Sequence, residues 1–126
     1  MRAAVPIVLA VLAVAGAVSA EPIMSPGWRF SEQTGEALYA NACQACHMSN
    51  GEGATGAGRY PSLARNPKLE TTPYVLEVVL HGQKAMPRFA RLMTNEQVAA
   101  VTTYVRTHFG NAYAEPVTAE EVGKAR

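Results

Sequence analysis

The sequence has little of what many functional classes need. Its 126 residues hold only two cysteines, too few for a disulfide-dense secreted scaffold or a four-cysteine zinc ribbon. It has almost no excess of charge: eleven Lys and Arg against ten acidic residues leave +1. That argues against a nucleic-acid binder held by bulk charge. It has no internal repeat and no polar–apolar alternation long enough for a strand. With 48% hydrophobic and 17% charged residues, it is too apolar to be disordered and too short for two full domains.

The first twenty residues read as an address. Arg2 is the single charge there, Ala3 to Val18 is nearly unbroken apolar sequence, and Val18-Ser19-Ala20 is a small-residue cleavage site. Together they predict a secretory signal peptide over 1–20, cleaved after Ala20, with an uncleaved membrane anchor as the alternative. Pro6 and Gly16 interrupt the apolar run and favour cleavage. Cleavage leaves 106 residues with ten bases and ten acids. A domain of that size forms only a modest core, so a group filling its centre would help it fold.

The remainder reads as an all-α chain. Residues 21–33 carry Pro22, Pro26 and Gly27 and predict an irregular lead-in, with Trp28 and Phe30 packing back on the body. A helix is expected from Ser31 or Thr34, its Gly35, Tyr39, Cys43 and His47 spaced by four along one face. Four glycines between Gly51 and Gly58 predict a loop that passes close to something. No Gly-Lys-Ser/Thr follows them, so this is no phosphate loop. Thr72-Pro73 reads as an N-cap and first helical position, opening a helix to Leu80 or His81 that Gly82 closes. Its β-branched residues would also suit a strand. Thr94 to Gln97 is a capping box. Val98, Val101, Val105 and Phe109 then form an amphipathic stripe that Gly110 ends. These residues, 34–110, make one domain. A tail over 111–126 ends in a short helix with its own capping box at Thr118 to Glu121.

The chemistry concentrates in Cys43-Gln44-Ala45-Cys46-His47. Two thiols three residues apart on a helical turn can add to the two vinyl groups of one haem, and the next histidine can ligate the iron. A redox dithiol would need an α/β setting, a zinc site more ligands, and a disulfide across two residues is cramped. Export fits as well, because covalent haem attachment takes place outside the bacterial cytoplasm. For the second axial position the candidates are His81, Met86, Met93 and His108; Met48 is too close to His47. Met86 is favoured, since Pro87 stiffens its loop, although a methionine can also be plain core filler. His81 stands at a helix end, and Met93 and His108 suit packing and surface roles.

Gly35-x-x-x-Tyr39-x-x-x-Cys43-x-x-Cys46-His47, then Pro61, Met86-Pro87-x-Phe89 and Tyr104, resembles a class I c-type cytochrome, a small bacterial one with a single haem. The match covers most of Gly35 to Phe109. The resemblance implies a helical fold wrapped around covalent haem c, with first and last helices crossing where Gly35 and Tyr39 meet Tyr104. It also implies that the Pro61 carbonyl accepts the proton of the ligand histidine, fixing its tautomer.

Ligation by both His47 and Met86 leaves the iron no open position, which suits electron transfer rather than bond chemistry. The thioether favours the reduced state. The expected role is a periplasmic one-electron carrier, not an enzyme. It would take electrons from an exported dehydrogenase and pass them to an oxidase or another cytochrome. The end of the chain weakly resembles cytochromes that accept electrons from such dehydrogenases. Alternatives are a fixed cytochrome subunit of a dehydrogenase, a haem enzyme or gas sensor with an open iron, and a haem-free thiol or structural protein. Between Arg59 and Arg91 there are six bases and two acids. Lys84, Arg88 and Arg91 there are a candidate docking face for an acidic redox partner, or simply solvated charges.

Overall fold

The computed structural model describes residues 29–126. The cleavage site and Trp28 lie outside them. Among the described residues every regular element is helical, and none is long and apolar enough to cross a membrane.

The first helix begins as α1 (Gly35–Leu38), passes through a π segment (Tyr39–Cys43) and ends as α2 (Gln44–His47). Thr34 caps it, its hydroxyl accepting from the Ala37 amide. The wide turn, in which the Gln44 amide bonds the Tyr39 carbonyl, was not foreseen. A uniform spacing of four assumed a regular helix; one π turn changes the pitch just before the Cys–His motif, a placement common at functional sites. Met48 ends the helix at φ 66, and the Tyr39 hydroxyl holds its carbonyl at 2.7 Å.

A 3-10 turn (Pro67–Glu70) leads into α3 (Thr72–His81). The N-cap of α3 is Thr71 rather than Thr72, and no side chain caps it. Pro73 therefore sits one position further in, where a missing amide still costs no helical bond. Val75, Leu76 and Leu80 are buried, so burial on one helical stripe overrides the strand preference of the β-branched residues. Gly82 closes α3 as expected.

A second 3-10 turn (Phe89–Arg91) precedes α4 (Asn95–Thr107), which opens with the full Thr94/Gln97 capping box. Gln97 is buried and does more than cap: its side-chain amide donates to the carbonyls of Phe30 and Glu32 and pins the lead-in. Phe30 packs there against Phe89, ring centroids 6.3 Å apart. The stripe of α4 is buried at Val98, Val101 and Val105, but Phe109 lies outside the helix. α4 stops at Thr107, and Phe109 takes φ 58, a break that periodicity cannot register.

The tail returns over the body and ends in α5 (Ala119–Ala125), whose Thr118/Glu121 box is complete and whose Val122 is fully buried. α4 is the hub, touching α1, α3 and α5. At the α1–α4 crossing, a Cβ on Gly35 would sit 2.4 Å from the Ala100 carbonyl oxygen. Only glycine permits that approach. Tyr39 and Tyr104 meet beside it, 5.6 Å between centroids. Arg106 is buried; it donates to the carbonyls of Leu69, Glu70 and Glu115, tying the 3-10 turn and the tail to α4.

Candidate functional site

Cys43, Cys46 and His47 sit at the end of the first helix, the cysteines half-buried free thiols and the histidine buried. Burial pushes the Cys43 thiol up to about 12, with Cys46 beside it adding to the effect. Redox-active cysteine pairs need the opposite shift, toward the thiolate. The Tyr39 hydroxyl is likewise raised to about 12, first by burial, then by Cys43 and Tyr104, so it remains a donor.

The His47 ring is oriented by the backbone. Nδ1 lies 2.9 Å from the Pro61 carbonyl oxygen. A carbonyl only accepts, so the proton of the neutral ring is on Nδ1 and the lone pair is on Nε2. The glycine loop makes this contact, because residues 51–61 fold back along the helix. The Gly53 amide donates to the His47 carbonyl and the Ala54 amide to that of Cys46, each at 2.9 Å. Gly53, at φ 80, has the Tyr60 and Pro61 backbone where a Cβ would be, at 2.3 and 3.0 Å. Gly56 and Gly58 face open space. The loop does pass close to something: the backbone that supplies the acceptor for His47.

Two residues that sequence reasoning did not place in the site support this side. Phe109 covers Gly51 and stacks near Tyr39, centroids 4.8 Å apart, and its carbonyl accepts from the Arg65 amide. Asn111 is buried and donates to the carbonyls of Leu63 and Val105 while accepting from the Asn66 amide. An asparagine after a helix-ending glycine reads only as a turn residue, so nothing in the sequence marks it.

Met86 lies in the loop between α3 and α4. It closes a tight turn, its amide donating to the Gln83 carbonyl at 2.9 Å, and its side chain is half-buried against the core. A Cβ on Gly82 would come within 2.5 Å of the Met86 carbonyl, so the base of this loop is narrow. The other methionine and histidines have occupations of their own. Met93 is buried in the core cluster. His81 Nε2 is 3.3 Å from the Ala125 carbonyl. His108 is exposed and stacks on Tyr104. Lys84, Arg88 and Arg91 are all exposed, none in an ion pair among the described residues.

Chemically, this is a pair of free thiols, one a turn before and one next to a histidine whose Nε2 can meet a metal. Residues 31–105 match the family model of cytochrome c oxidase, cbb3-type, subunit III. Among curated proteins, the fructose dehydrogenase cytochrome subunit of Gluconobacter japonicus is 36% identical over 107 residues, covering 73% of this chain and 22% of that one. Cytochrome c-552 of Thermus thermophilus is 32% identical over 121 residues, 79% of each chain. Cytochrome c6 of Euglena gracilis is 30% identical over 84 residues, covering 64% of this chain and 95% of the relative. The chain therefore spans about a fifth of the dehydrogenase subunit it matches and most of the small cytochromes.

Proposed function

The chain belongs to the c-type cytochromes, all-α electron-transfer proteins carrying covalent haem c, and on that premise we propose that it is a periplasmic one-electron carrier in which His47 and Met86 would bind the iron. When bound, the haem supplies an iron that alternates between Fe(III) and Fe(II). Cys43 and Cys46 would hold it by thioether bonds. The donor set fits: both thiols are free, and His47 presents Nε2 because the Pro61 carbonyl keeps the proton on Nδ1. That hydrogen bond also raises the basicity of the imidazole. Met86 contributes a soft thioether that favours the lower oxidation state. The buried aliphatic side chains of α3 and α4 would offer the haem an apolar surround, which disfavours the extra positive charge of Fe(III).

The observation that carries this reading is the His47–Pro61 hydrogen bond, which commits the ring to one tautomer before any ligand arrives. Lys84, Arg88 and Arg91 beside the Met86 turn would receive an acidic partner for brief contact. Electrons would come from an exported dehydrogenase and leave to an oxidase or another cytochrome. A second reading, a cytochrome subunit fixed to a dehydrogenase, draws support from the dehydrogenase relatives. Co-purification with the donor enzyme through gel filtration separates the two.

Visible spectra of the holoprotein, oxidised and reduced, beside Met86→Ala test the ligand set. The expected wild type is low-spin, with a sulfur-to-iron band in the oxidised form. Met86→Ala should lose that band entirely and shift to a lower potential. A high-spin wild type, unchanged by the substitution, would mean an open iron and a haem enzyme or gas sensor instead of a carrier.

A further inference from the structure

The Met86 turn is exposed at Gln83, Lys84, Ala85, Pro87 and Arg88. Its internal tie is the Met86-to-Gln83 backbone bond. That bond closes the turn but does not fix where the turn sits on the body. Besides core packing and the Phe30 amide on the Leu92 carbonyl, both ends of the loop meet one short segment at the end of α5. At the leading end, His81 Nε2, on the last residue of α3, donates to the Ala125 carbonyl at 3.3 Å. At the trailing end, the Arg126 guanidinium donates to the carbonyls of Ala90 and Met93, the latter at 2.9 Å, and to the Asn95 side chain.

These acceptors suit a cation. They are two backbone carbonyls and one side-chain amide oxygen, all acceptors converging on one donor group. The planar guanidinium can satisfy three acceptors at once with charge-assisted bonds, which a lysine cannot do. Glu96, at the start of α4, feels the same charge: its carboxyl is held below its usual range by its own amide and Thr94, with Arg126 contributing. The segment is itself anchored, since Val122 is fully buried and the Thr118/Glu121 box fixes the start of α5.

We infer that Arg126 is a positioning residue that holds the trailing end of the methionine loop to the end of α5, where the Ala125 carbonyl meets the leading end, and thereby limits how readily Met86 leaves the iron. The inference rests on Met86 as a ligand. Its consequence is kinetic. An outside ligand can reach the iron only while the loop is open, so loosening the clamp should raise the rate of entry.

The test uses the full-length holoprotein in its oxidised form and imidazole as the probe, followed by stopped-flow visible spectroscopy. Arg126→Ala should keep the sulfur-to-iron band yet bind imidazole roughly tenfold faster, the scale of one charge-assisted hydrogen bond lost from a solvent-exposed site. Thr34→Ala serves as a control, because it removes a cap of similar worth on another helix, α1; its rate should stay within about twofold of wild type. In a Met86→Ala background the site is already open, and adding Arg126→Ala should change nothing. The clamp is overturned if Arg126→Ala binds at the wild-type rate, if Thr34→Ala accelerates binding equally, or if the acceleration persists without Met86. A wild type that already binds imidazole as fast as Met86→Ala would instead remove Met86 as a ligand, and the clamp with it.

Discussion

The loop that carries the acceptor for His47 and the loop that carries Met86 are built on different principles. The first is stitched to the helix it serves. Gly53 and Ala54 bond back to His47 and Cys46, Tyr60 bonds Ala54, and Leu63 bonds Gly51. Almost all of that is settled by neighbours in sequence. The second loop has one backbone bond closing its own turn, and the Arg126 side chain holds its far end from over thirty positions away. A cheap local unit thus holds the side where the ring must not turn. A long-range contact holds the side proposed for ligand exchange. Local units form with little loop-closure entropy, whereas distant ties depend on the whole fold being present.

The sharpest way to break this comparison is inside the glycine loop. Gly53→Ala forces a Cβ against the Tyr60 and Pro61 backbone at φ 80. It should cost about 3 kcal/mol or more of stability and disturb the orientation of His47. Gly56→Ala, facing open space, should stay within about 0.5 kcal/mol. Denaturant unfolding of the two holoproteins checks both numbers. Equal costs would mean that the loop is not the local support described above.

Asn111→Ala probes the histidine side's own dependence on distant residues. It removes the bonds to Leu63, Val105 and Asn66 and leaves buried backbone groups without a partner, at a cost of about 2–3 kcal/mol. Thermal unfolding should show that loss while the sulfur-to-iron band survives. Loss of the band would show that the two sides are not separable.

The smallest effect is acid dependence in α5. The Glu121 carboxylate accepts from the Thr118 amide and hydroxyl, at 2.8 and 2.9 Å, and this holds its carboxyl below the ordinary 4.5. A carboxyl depressed in the folded state contributes stability above the unfolded value and loses it as pH falls through the folded one. The stability advantage of wild type over Glu121→Gln should therefore be small near neutrality and vanish as acid protonates the carboxyl below its lowered folded-state value. Denaturant midpoints of both proteins across that range measure it. An advantage that grows in acid would contradict the assignment.

What was legible in the sequence was local. Both capping boxes hold because a cap and its third residue touch within one turn. The start of α3 was misplaced by one residue, since adjacent threonines offer the same side chain and only backbone angles choose between them. Phe109 kept the spacing of α4 but lies outside it, because a positive φ breaks a helix without disturbing the pattern of apolar residues. The π turn left no mark for a similar reason: it changes pitch, not composition.

The sequence by itself determined the covalent chemistry and the helical class. Two thiols, a histidine and the caps act over three or four residues, and a spacing that short survives any packing. Only the tertiary structure decided that Asn111 braces the histidine side and that Arg126 reaches the methionine loop. Those contacts join segments tens of residues apart, and no pattern along the chain encodes a meeting that burial of α4 and α5 brings about.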